Sequence, residues 1–144
     1  MAFTVATALM VQRWTSPAMV QSYRETFAWF RDHHIRLIVV GPFPEYENPL
    51  PLLLAEAIRK GDMSSVTKRQ RAFVPVLDRW MAAHADEFSY SYLSAYEVFC
   101  RGNAPCQVFT DKAQTIPVLM DNDHLTPQGA EIAARAWIQA GLLL

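Results

Sequence analysis

Two nearly uninterrupted apolar runs, Thr4–Val11 and Ile35–Val40, constrain this chain more than any other feature. A strand with one face in water alternates polar and apolar residues. Runs that do not alternate need cover on both faces, which a parallel sheet flanked by helices provides. Between the runs, Ser16-Pro17 reads as an N-cap and first turn. Val20, Tyr23, Phe27 and Phe30 follow at helical spacing and predict one helix to about His33. Strand, helix and strand in this order make a right-handed crossover unit.

Gly41-Pro42 ends the second run, and the stretch to Pro51 holds four of the nine prolines, so it is a loop. Leu52–Arg59 reads as a short helix closed near Gly61. Ser65–Ala85 reads as mostly helical, with Phe73, Val76, Leu77 and Trp80 on one face and a kink at Pro75. Phe88–Ser94 alternates and predicts a third strand. Thr126-Pro127 opens a last helix, Pro127–Ala140, stopped at Gly141. The expectation is one α/β domain over residues 1–144, with sites in the loops after the strands.

A net charge of −1 and no basic stripe argue against a nucleic-acid partner. Lys68, Arg69 and Arg71 fall inside a predicted helix and read as its solvated face. No stretch reaches the ~20 apolar residues of a membrane helix. The first residues lack a basic region and a cleavage pattern, so they read better as a buried strand than as a signal peptide. Cys100 and Cys106 bracket a short loop containing Gly and Pro. That spacing fits a disulfide, worth about 2 kcal/mol, and equally two free thiols. Two cysteines are too few for a structural zinc site.

The chemistry concentrates in Asp121-Asn122-Asp123-His124-Leu125-Thr126-Pro127. His124 lies two residues before a helix cap, with Asp121 in reach if the loop turns. A carboxylate on one ring nitrogen fixes the tautomer, and the other nitrogen can then take a proton from a serine. Taken alone, such a pair more often marks a surface turn. Asp121, Asp123 and His124 as metal ligands would need distant partners, so no metal and no cofactor is expected. His33 and His34 suit a helix end.

PVLMDNDHLTPQGAEIAARAW resembles the last block of the SGNH (GDSL-type) hydrolase superfamily. It looks most like the SGNH domain fused to membrane acyltransferases that O-acylate cell-surface polysaccharides. LMVQRW, LIVVGPFPEY and EVFCRGNAPC resemble further parts of that group, the last its cysteine-bracketed loop. The resemblance implies a three-layer, flavodoxin-like parallel sheet with helices on both faces. It implies Asp121 and His124 as the catalytic Asp and His, with His124 as base and then acid and Asp121 orienting it, and Cys100 and Cys106 at disulfide distance. It also implies an acyl-ester carbohydrate substrate, a membrane acyltransferase domain as partner, and a periplasmic or other extracytoplasmic location.

The chain departs from the pattern in one respect. The family's nucleophile sits in a Gly-Asp-Ser block after its first strand, and no Gly-Asp-Ser occurs here. None of Ser16, Ser22, Ser64, Ser65, Ser89, Ser91 and Ser94 has that context. The expectation is therefore an N-terminally truncated domain, inactive alone, with its serine outside the chain. The family's Asn oxyanion donor would fall near Gln12–Trp14. Arg13 is the candidate for part of that role, with a salt bridge at the strand end as the equal alternative. In a 2-1-3-4-5 sheet, Thr4–Val11 matches the third strand and lies at an uncovered edge. That edge carries no charge or proline, so self-association through it is expected. A non-catalytic glycan-binding domain and an unrelated small cytosolic α/β binding protein are the rival readings.

Overall fold

The structure, a computed structural model, describes residues 7–11, 14–102 and 104–141. Three strands, β1 (Thr7–Val11), β2 (Arg36–Val40) and β3 (Ser91–Leu93), form a parallel sheet in that order. The register pairs Thr7 with Arg36 and Val11 with Val40, then Ile38 with Ser91 and Val40 with Leu93. β1 is therefore an edge strand among the described residues. The expected start at Thr4 lies outside them.

The helices are α1 (Pro17–Gln21), α2 (Arg24–Asp32), α3 (Leu50–Lys60), α4 (Ser64–Thr67), α5 (Phe73–Ala83), α6 (Ala85–Phe88), α7 (Tyr96–Phe99) and α8 (Pro127–Gln139). The chain divides into two compact units. One holds the described residues up to Pro42 together with Phe73–Ser94. The other holds Phe43–Ala72 and the described residues from Ala95 onward.

In the first unit, Leu37, Ile38, Val39 and Val40 of β2 are all buried, as a central strand covered on both faces requires. Phe27 of α2 packs edge-on against Phe88 and Tyr90, at 5.6 and 5.4 Å between ring centres. Asp78 of α5 is buried and accepts hydrogen bonds from Tyr92 Oη (2.7 Å) and Ser94 Oγ (2.8 Å). Burial, with Asp78 beside it, pushes the Tyr92 hydroxyl far up from its ordinary value, so Tyr92 stays a donor. Gly41 follows β2 where a Cβ would stand 1.9 Å from Tyr92 Oη, so the close approach excludes a side chain.

The second unit has its core on Tyr46, Leu50, Leu54, Val66, Phe99, Val118 and Leu119. The described backbone outside its helices is tied by single antiparallel bridges, Tyr46 to Gln70, Phe109 to Pro117 and Leu119 to Leu125. A disulfide joins Cys100 to Cys106, with Cα atoms 4.1 Å apart, which resolves the choice the spacing left open. Gln70 Nε2 lies 3.0 Å from Cys106 Sγ.

Several sequence expectations need correction. The helix expected to run to His33 is two, because the chain turns at Ser22-Tyr23, where Ser22 Oγ caps Met19 O at 2.7 Å. The long helix over 65–85 is three. Residues 68–72 leave helical geometry to pair with the loop at 45–47, through Glu47 N to Arg69 O and Arg71 N to Glu45 O. Lys68, Arg69 and Arg71 thus lie after α4 rather than inside a helix. Arg69 pairs with Glu47 at 3.1 Å, and Arg71 Nε lies 3.8 Å from buried Glu45. Pro75 sits in the first turn of α5 and kinks nothing. The buried face of α5 is Val74, Leu77, Asp78 and Met81, while Val76 is exposed. The third strand is short because Phe88 ends α6 and Ser89 turns left-handed at φ 59°.

Candidate catalytic loop

The Asp121–His124 loop is built from the backbone outward. Leu119 and Leu125 pair as an antiparallel bridge, and Met120 N donates to His124 O at 2.8 Å, closing a tight hairpin. Leu50 N donates to Asp121 O and Tyr46 N to Asn122 O, both at 2.9 Å, so the tip is anchored on the loop that enters α3. Tyr46 and Leu50 are themselves fully buried. On the other side, Thr126 caps α8. Its hydroxyl accepts from Gly129 N at 3.1 Å and donates to Pro117 O at 2.9 Å. A Cβ on Gly129 would stand 2.4 Å from Val118 O, so the helix reaches this hairpin only because that residue is glycine.

Within the loop, the two oxygens of Asp121 have different tasks. Oδ1 accepts the backbone N–H of Asp123 (2.9 Å) and of His124 (2.8 Å), which holds the turn. Oδ2 lies 2.8 Å from His124 Nδ1. The N–H of Asp123 first, with help from the backbone and ring of His124, holds the Asp121 carboxyl down at about 2. An ionised carboxylate only accepts, so the ring N–H at Nδ1 faces it, and in the neutral ring the lone pair is then on Nε2. The His124 side chain is two-thirds exposed, at 66 %. Among the described residues nothing bonds Nε2. The pair is thus set as an oriented base.

Asp121 and His124 are brought together as the sequence reading expected. Arg13 lies outside the described residues. The serines of the second unit, Ser64 and Ser65, both give their hydroxyls to Asp62. Asp121, Asp123 and His124 converge with donor atoms within 4.8 Å, a grouping that could hold a metal ion. Its oxygens are partly committed: Asp121 Oδ1 already receives two N–H groups. Sequence reasoning did not single out Asp123 as a partner of His124, although its Oδ1 is 3.0 Å from Nδ1. The Asp-Asn-Asp-His run was the available signal. It also missed Asp78, a charged residue on a core-facing helix stripe.

The chain combines a parallel three-stranded sheet with an Asp-x-x-His loop that leads into the cap of its last helix. The family model described as the SGNH domain fused to AT3 domains matches residues 2–139, and the chain belongs to that family. In fold it is similar to the periplasmic domain of the Salmonella ser. Paratyphi A lipopolysaccharide acetyltransferase, with a TM-score of 0.80 at 15% identity. That match covers 94% of this chain and 56% of the other, so the chain spans little more than half of that domain. No curated protein matches in sequence.

Proposed function

We propose that the chain supplies the acid–base pair of an extracytoplasmic domain that acts on acyl esters of carbohydrate, by transfer or hydrolysis, through a Ser-His-Asp mechanism. The serine comes from outside residues 1–144. The single observation that carries the reading is the Asp121 Oδ2 contact to Nδ1, with Nε2 left open among the described residues. Family membership and the acetyltransferase neighbour support the substrate class, and the disulfide supports an oxidising compartment.

In this mechanism the serine hydroxyl attacks the acyl carbonyl while Nε2 takes its proton. Asp121 holds the ring in place and stabilises the imidazolium. The ring then returns the proton to the departing alcohol, leaving an acyl-serine. A second alcohol or water, deprotonated by the same Nε2, attacks that ester, and Nε2 returns the proton to the departing serine oxygen as the acylated product leaves.

The test is turnover of acetyl esters by the whole gene product and by residues 1–144 alone. The whole protein is expected to turn over the ester and to lose about 10⁴-fold in kcat with His124→Ala. The 144-residue chain alone is expected to show none, since its sequence carries no Gly-Asp-Ser nucleophile block. Undiminished turnover in His124→Ala overturns the assignment. A whole protein that binds acylated glycan without turnover favours the accessory-domain reading.

A further inference from the structure

His124 Nδ1 faces two carboxylates. Asp121 Oδ2 is at 2.8 Å and accepts the hydrogen bond, while Asp123 Oδ1 stands at 3.0 Å as a charge contact. The two differ in setting. The Asp121 side chain is 39% exposed, whereas that of Asp123 is 9% exposed. A charge at equal distance acts more strongly from the less solvated position, because water screens it less. Backbone hydrogen bonds also fix Asp123: its N–H is held by Asp121 Oδ1, and its neighbours' carbonyls are held by Tyr46 N and Met120 N. The backbone that carries its carboxylate is therefore held in place beside the ring.

We propose that Asp123 is a second positioning residue for His124, a carboxylate whose charge beside Nδ1 favours the proton there and keeps it there when Asp121 cannot. Its catalytic consequence rests on the function proposed above; its effect on the ring does not. Asp121 fastens the turn through Oδ1 and orients the ring through Oδ2. Asp123 adds negative charge on the same side of the imidazole, opposite the edge that would meet substrate. With both in place, the Nδ1–H form is held by one hydrogen bond and a second negative charge beside it, and the Nε2 lone pair stays available.

Ring-nitrogen NMR of His124 in residues 1–144 separates the two contributions. In Asp121→Asn the introduced amide oxygen keeps the two backbone N–H groups, which leaves the amide nitrogen facing Nδ1. That nitrogen is a donor and favours moving the ring proton to Nε2, while Asp123 favours keeping it on Nδ1. The expected result is that Nδ1–H remains the majority form in Asp121→Asn and is lost in Asp121→Asn/Asp123→Asn. Should that double variant fail to fold by its amide spectrum, Asp121→Asn/Asp123→Ser serves in its place. The proposal is overturned if Asp121→Asn alone moves the proton as fully as the double variant, or if the double variant retains it on Nδ1. In the whole protein, the double variant should lose at least about tenfold more kcat than Asp121→Asn at unchanged KM. A whole protein without ester turnover would end the proposed function and leave the NMR result to decide on Asp123.

Discussion

In the unit built on β1, β2 and β3, the backbone is satisfied by a ladder in which each residue repeats the bonding of the one before. In the unit that carries Asp121 and His124, the backbone outside the helices is satisfied one bond at a time. Leu50 holds Asp121, Tyr46 holds Asn122, Met120 holds His124, and a disulfide closes the loop at residues 100–106. A ladder tolerates the loss of one rung because its neighbours keep the register. A hairpin tied by unlike contacts has no spare, so small changes there should displace the site.

Gly129→Ala should cost about 3 kcal/mol, because the new methyl meets the Val118 carbonyl, which is backbone bonded to Thr126. Gly41→Ala should cost less, about 2 kcal/mol, because its obstacle is the end of the Tyr92 side chain. Chemical denaturation of both variants checks the order, and a reversed order would break the comparison.

Reduction of Cys100–Cys106 should cost about 2 kcal/mol and act on the second unit. Hydrogen exchange with and without reductant should show faster exchange at Gln107 and Val118, whose N–H groups bond Phe99 O and Val108 O, with β2 unchanged. Faster exchange throughout β2 would mean that the units do not respond separately.

Asp121 gives a pH signature. Its folded value, about 2, lies below its ordinary 3.8, so its contribution is complete above the ordinary value and is lost as pH falls through about 2. After discounting for exposure, the contribution is about 1 kcal/mol. Urea midpoints compared at about pH 5 and pH 2 should fall less in Asp121→Asn than in the wild type. Equal falls would contradict the arrangement.

The first unit has its own weak place. β1 leaves one edge unpaired among the described residues, and Leu9 on it is 59% exposed. The chain is expected to associate through this edge at tens of micromolar. Leu9→Lys should lower the association seen by light scattering while changing stability by no more than about 0.5 kcal/mol. A monodisperse wild-type chain would remove this expectation.

The first unit was largely legible in the sequence. Continuous apolar runs marked β1 and β2, and Ser16-Pro17 marked α1. Legibility failed where a polar residue serves the core. Asp78 hid the buried stripe of α5, so the apolar residues one position earlier looked like its inner face. In the second unit, the pairing of 45–47 with 69–71 joins residues distant in sequence, and no local periodicity announces it. The Asp121–His124 pair was legible because its spacing is itself the geometry: a three-residue reach closed by one turn. Asp123 was not, because its proximity to Nδ1 depends on how that turn is folded.

The central claim is that His124, held by Asp121, is the base that activates a serine. The most direct measurement is the intact mass of the whole protein after exposure to a serine-directed phosphonate. The wild type is expected to gain one covalent adduct on a serine, and His124→Ala to gain it at least about 10³-fold more slowly. Adduct formation at the same rate in both would contradict the claim.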